Sequence, residues 1–129
     1  MDIKETLKKI KDWQPENCKK ETDFKKSLYD YLHIQFPNKQ ITNEPGYYRI
    51  KADITIDENF IIELKYNLKT IPKLTNLKGQ IVNYQKLKGI IIIVLCGETE
   101  ANIKKDIEKH INELNSNEPL YRLELDCFQ

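Results

Sequence analysis

Ile3, Leu7, Ile10 and Trp13 repeat at helical spacing and Pro15 ends the run, so residues 3–13 predict an amphipathic helix. A second helix is expected from about Cys18 to Gln35. Its apolar stripe is Phe24, Leu28, Tyr31 and Leu32, and Pro37 and Asn38 close it. The period then changes. A short strand is expected at 40–44, a turn at Pro45 and Gly46, and two strands, "YYRIKADITI" and "NFIIELKY", around "DEN". Helical spacing returns in "KTIPKLTNLKGQIVNYQKLK", with Leu74, Leu77, Ile81 and Tyr84 on one face. "GIIIIVLC" lacks polar alternation and reads as a central strand covered on both faces. "TEANIKKDIEKHINELN" is an amphipathic helix through Ile103, Ile107, Ile111 and Leu114, and "LYRLELDCF" is a last strand.

A hairpin meander followed by strand–helix crossovers implies an α/β fold, with a mixed central β-sheet flanked by helices. The 129 residues suit one domain, 1–129, made of an N-terminal amphipathic helix over 1–14 and a core over 18–129. With 40% hydrophobic residues and four glycines, an ordered globule is expected. The longest apolar run is strand-sized, so no membrane partner is expected. The charged start "MDIKETLKKIKDW" does not read as a signal peptide. Cys18, Cys96 and Cys127 are odd in number and scattered, which fits neither a disulfide framework nor a zinc or iron–sulfur site. A reduced, cytoplasmic protein is expected.

Net charge is only +1, but it is unevenly spread. From Leu64 to Ile90 there are six lysines (Lys65, Lys69, Lys73, Lys78, Lys86 and Lys88) and no acid, whereas from Glu98 to Asp126 acids outnumber bases eight to four. The basic stretch begins where the hairpin ends.

That hairpin carries the candidate chemistry. On its first strand Ile50, Ala52, Ile54 and Ile56 share a face opposite Asp53. On its second, Phe60, Ile62, Leu64 and Tyr66 lie opposite Ile61, Glu63 and Lys65. A three-residue loop at 57–59 joins the apolar faces by pairing Ile56 with Phe60 and Ile54 with Ile62. The same register sets Asp53 opposite Glu63, with Cβ atoms about 5 Å apart. Facing like charges are unfavourable; they can share a proton, lean into solvent or hold a cation. Converging carboxylates suit Mg²⁺, which keeps waters for a substrate's phosphates. Lys65 projects from the same face, where an ammonium can orient an attacking water and neutralise a pentavalent phosphate. The plain alternative is a solvated strand face with incidental charges.

Glu21 lies three residues before Phe24 and seven before Leu28, on the inward stripe of its helix, where a metal would give it a partner; a rim glutamate at a helix start is the alternative. Gln80 and Tyr84, spaced i, i+4, adjoin the Leu77–Ile81 face and could orient water or phosphate or simply pack on the sheet. His33 and His110 lack metal-ligand spacing, no glycine-rich phosphate loop is present, and no cysteine sits beside a recognisable base.

"KAD" ending in Asp53, "IELK" with Glu63 and Lys65, the upstream helix with Glu21, and "QIVNY" with Gln80 and Tyr84 together resemble the PD-(D/E)XK nuclease superfamily. The last motif is similar to the Q-x-x-x-Y of its RecB-like branch. Ala52 stands where the name-giving proline would be, and the cysteine cluster of iron–sulfur members is absent. The resemblance implies a restriction-endonuclease-like αβββαβ core and Mg²⁺- or Mn²⁺-dependent hydrolysis of DNA. Asp53, Glu63 and the Leu64 backbone carbonyl would hold the metal, with Glu21 assisting. Lys65 would position the water, and Gln80 and Tyr84 would line the site. Lys69, Lys73 and Lys78 on the lysine-rich helix would line the phosphate track. A near-minimal core also points to a homodimer or a partner protein. The alternatives are a catalytically silent nuclease-like domain that binds nucleic acid or protein, and a structural subunit docking through helix 1–14.

Overall fold

The computed structural model describes residues 3–43, 46–47, 50–57, 60–84, 89–117 and 122–128. The stripe beginning at Ile3 folds as α1 (Ile3–Lys11) and the one around Phe24 as α2 (Glu21–Gln35). The chain continues through β1 (Ile41–Asn43), β2 (Gly46–Tyr47), β3 (Ile50–Lys51), β4 (Ile54–Ile56) and β5 (Phe60–Tyr66). It ends with α3 (Ile71–Tyr84), β6 (Ile90–Cys96), α4 (Ala101–Asn117) and β7 (Arg122–Phe128). The last four residues of the helix expected to reach Lys88 lie outside the described residues.

Among the described residues, five strands form one mixed sheet in the order β1-β4-β5-β6-β7. The β1–β4 and β4–β5 pairs are antiparallel, and the β5–β6 and β6–β7 pairs are parallel. Parallel pairing requires crossovers, which α3 and α4 supply. Apolar residues therefore fill both faces of β6, as the unbroken "IIIIVLC" requires, and those of β5 up to Glu63.

The two layers are sharply sorted. Ile54, Ile56, Phe60, Ile62, Leu64, Ile92 and Val94 pack under Phe24, Leu28 and Leu32 of α2 and Ile10 of α1. Ile61, Ile91, Ile93 and Leu95 on the opposite face meet Leu74, Leu77 and Ile81 of α3 and Ile103, Ile107 and Ile111 of α4. Ile10 is fully buried and Trp13 is 3% exposed, so the first helix spends its apolar stripe on its own core. Among the described residues no helix is long and apolar enough to cross a membrane.

The hairpin follows the expected register only in part. Ile54 pairs with Ile62 and Ile56 with Phe60. The expected continuous strand from Tyr47 to Ile56 is instead interrupted. β3 pairs with β2 as a separate two-stranded ribbon, and Asp53 occupies a bend before β4. Ala52 consequently lies not with Ile54 and Ile56 but in the opposite cluster, beside Ile61 and Leu68. Strand alternation keeps residues 52, 54 and 56 on one face only while the backbone stays extended, and the bend breaks it.

Candidate active site

The bend has a local cause. Leu64 lies beyond the last β4–β5 pair, and its N–H donates to Asp53 Oδ2 at 2.8 Å. A side-chain carboxylate thus takes the place of the next backbone acceptor in the ladder. Asp53 is not a ladder residue facing Glu63, as the extended register would have it. Its carboxylate is drawn toward the edge of β5, where it still comes close to that of Glu63.

Both acids are buried, Asp53 to 8% and Glu63 to 2% exposure. Glu63 stands on the α3 face of β5 between two donors. The Tyr84 hydroxyl, at the last residue of α3, donates to Oε2 at 2.8 Å, and the Lys65 ammonium lies 3.4 Å from Oε1. Burial is the main reason that the Glu63 carboxyl is pushed up to about 7. The Asp53 charge and a hydrogen bond with Asp53 add to the rise, while Lys65 and Tyr84 oppose it. Burial and the neighbouring Glu63 charge in turn push the Tyr84 hydroxyl upward, so it stays a proton donor.

Lys25, which the sequence motifs do not point to, completes the site. It projects from α2 and places its ammonium 2.8 Å from Asp53 Oδ1 and 3.4 Å from Glu21 Oε2. Burial works against its charged form, but the hydrogen bond and charge of Asp53, with Glu21 and Glu63 behind, carry it above the ordinary lysine range. Its only sequence signal is the i, i+4 spacing from Glu21. All four carboxylate oxygens of Asp53 and Glu63 therefore have a protein donor: Lys25, the Leu64 N–H, Lys65 and Tyr84.

Glu21 is the first residue of α2, and its side chain is 41% exposed. Of the two readings of Glu21, an inward acid and a rim glutamate at a helix start, the structure shows the rim one, because the helix begins at this residue. Its Oε1 accepts the Tyr66 N–H at 3.4 Å. Gln80, one turn before Tyr84, lies in a groove along α3 with Asn76 and Asn83, and its buried Oε1 has no hydrogen-bond donor among the described residues. A second groove, of about 320 Å³, opens beside the acids and is lined by Glu21, Lys65, Tyr66, Leu68, Lys73 and Asn76. Of the three lysines expected along a phosphate track, Lys73 lines this groove. Lys69 pairs with Glu98 at 2.8 Å and Lys78 with Asp106 at 2.6 Å.

The loops that follow β5 and β6 are stitched together at this end of the sheet. Asn67 Oδ1 accepts the Glu98 N–H, the Asn67 N–H donates to the Cys96 carbonyl, and the Glu100 N–H donates to the Leu68 carbonyl. The carboxyl ends of parallel strands are a common place for a crevice. Here Leu68, whose carbonyl accepts one of these bonds, lines the groove.

A hard divalent cation takes one or two carboxylates and keeps several waters. Asp53 and Glu63 suit that pattern, and the Leu64 carbonyl points to the same strand edge as its N–H, which already meets Asp53. Among the described residues, no three His, Cys, Asp or Glu side chains gather as a metal cluster, and Glu21 stands apart on Lys25. The donor set fits a cation held by two carboxylates and water. No protein-family model, curated protein or solved structure matches the chain.

Proposed function

We propose that this protein is a divalent-cation-dependent nuclease that hydrolyses DNA phosphodiester bonds, built on a restriction-endonuclease-like αβββαβ core. In that reading α2, β1, β4, β5, α3 and β6 are the core elements, in that order. The observation that carries it is the convergence of two buried carboxylates, Asp53 and Glu63, with Lys65 at the mouth of a groove that also holds Lys73.

Asp53, Glu63 and the Leu64 carbonyl would hold Mg²⁺ or Mn²⁺, which when bound supplies Lewis-acid stabilisation of the phosphate's developing charge. The residues themselves do the rest. Lys65, 3.4 Å from Glu63 and only partly buried, can hold a water against the groove and offset charge on the phosphate. Tyr84 fixes the Glu63 rotamer through its 2.8 Å hydrogen bond. Leu64 fixes that of Asp53 in the same way. Lys73, on the first turn of α3, meets the substrate backbone.

A second reading, a catalytically silent nuclease-like domain that binds nucleic acid or a protein partner, draws on the pairing of all four carboxylate oxygens with protein donors. Labelled single- and double-stranded DNA incubated with Mg²⁺, Mn²⁺ or EDTA separates the two. The nuclease reading expects cation-dependent cleavage that is lost in Asp53→Ala and Lys65→Ala. Binding without cleavage under every cation condition supports the second reading.

A further inference from the structure

Lys25 has no assigned part in the chemistry above, yet it makes the shortest ion pair at the site. Counting Glu21, Asp53 and Glu63 against Lys25 and Lys65 gives three acids and two ammonium groups, a net charge of −1 when Glu63 is ionised. The Asp53 oxygen that Lys25 occupies is one of the few that a cation could use, because the other accepts the Leu64 N–H. An ammonium and a divalent ion cannot both sit against it at close range, since like charges that near repel strongly in a buried setting. Lys25 also has a second acceptor within reach. Glu21 lies one helical turn earlier on α2, 3.4 Å away and at the solvent rim.

We propose that Lys25 is a tethered counter-cation that neutralises Asp53 in the cation-free protein, withdraws to Glu21 when a divalent ion binds, and thereby sets the site's affinity for that ion. This deepens the nuclease reading and rests on it. Two features of the structure make the exchange feasible. The lysine stem is a flexible four-carbon chain, and the pair is not sealed, with the Lys25 side chain 23% exposed. Glu21 then has a role as the resting place of the displaced ammonium, which accounts for its distance from the two inner acids.

The test is Mn²⁺ titration by calorimetry on the full chain, with thermal unfolding in EDTA and in Mn²⁺ as a second readout. Lys25→Met should bind Mn²⁺ about tenfold more tightly than wild type, the effect of removing one competing charge at a partly buried site. It should unfold at lower temperature in EDTA, because Asp53 loses its ion-pair partner, and gain more from Mn²⁺ than wild type does. Lys25→Arg, which keeps a cation, should resemble wild type. Glu21→Gln should weaken Mn²⁺ binding in the wild-type background and have no effect in the Lys25→Met background. A weakening that persists in both backgrounds would mean that Glu21 contacts the ion directly, and the exchange would be wrong.

Wild-type binding that Asp53→Asn abolishes but Lys25→Met leaves equal or weaker overturns the role of Lys25 alone. Binding by Lys25→Met but not by wild type, lost again when Asp53→Asn is added, supports the exchange. Mn²⁺ binding by neither, or binding indifferent to Asp53→Asn, overturns the cation site and the exchange together.

Discussion

Glu63 offers a test that runs against the usual expectation that altering a buried site residue destabilises a protein. The residue is 2% exposed, and its carboxyl is pushed up to about 7, from 4.5, by burial first and then by Asp53. Between those two values the folded chain holds a proton that the unfolded chain has released. Stability therefore contains a Glu63 contribution that is fully present below pH 4.5 and is lost as pH rises to about 7. Each unit of that window is worth about 1.4 kcal/mol, so the loss is on the order of 3 kcal/mol. That is a large share of a typical domain's roughly 5–15 kcal/mol. Glu63→Gln removes the titration and keeps the shape. Its amide oxygen can still accept the Tyr84 hydroxyl, and any mismatch between its amide N–H₂ and Lys65 is independent of pH. Urea denaturation of both proteins in EDTA, at pH 5 and pH 8, isolates the effect. Titrating groups away from Glu63 cancel in the comparison. The variant should gain on wild type by on the order of 3 kcal/mol between the two pH values. A difference that stays constant, or moves the other way, would refute the claim that Glu63 folds at a cost in its charged form.

Three other outcomes follow from single contacts. Tyr84→Phe removes a buried donor 2.8 Å from Glu63 and should cost about 1.5–3 kcal/mol at pH 8, and less at pH 5 where Glu63 is protonated, by the same denaturation assay. Gly97→Ala should cost about 1–3 kcal/mol. Gly97 has φ +73, and an added Cβ would lie 2.8 Å from Tyr66 Cε1 and closer still to Asn67 Oδ1, disturbing the loop bond to Glu98; an unchanged melting temperature would contradict this. In DNA-binding titrations against salt, Lys73→Ala should reduce the slope by about one, while Lys69→Ala and Lys78→Ala, whose ammonium groups already face Glu98 and Asp106, should change it little.

Much of this layout was readable in the chain because its layers are simple. The unbroken apolar run of β6 marked a strand covered on both sides, and the Ile54–Ile62 and Ile56–Phe60 pairs followed from joining apolar faces. What periodicity missed was the bend at Asp53. Alternation treats each residue as a backbone pair, whereas Asp53 uses its side chain to cap the Leu64 N–H, and Ala52 passes to the other face. Glu21 stayed open between an inward and a rim position for a related reason. Spacing from Phe24 put it on the inner stripe, but spacing does not say where a helix begins. Lys25 left no motif, because its partner lies 28 residues away and only the fold brings them together. Lys69 and Lys78 looked free in a lysine-rich stretch for the same reason, since their acids come from Glu98 and from α4.

Whether Asp53 and Glu63 form a cation-supported hydrolytic site is tested most directly by anomalous scattering from crystals of the protein grown in Mn²⁺. A cation-supported site should show one Mn²⁺ peak between the Asp53 and Glu63 carboxylates and the Leu64 carbonyl, with the Lys25 ammonium moved from Asp53 to Glu21. At saturating Mn²⁺, the absence of a peak there, with Lys25 still seated on Asp53 Oδ1, would contradict it.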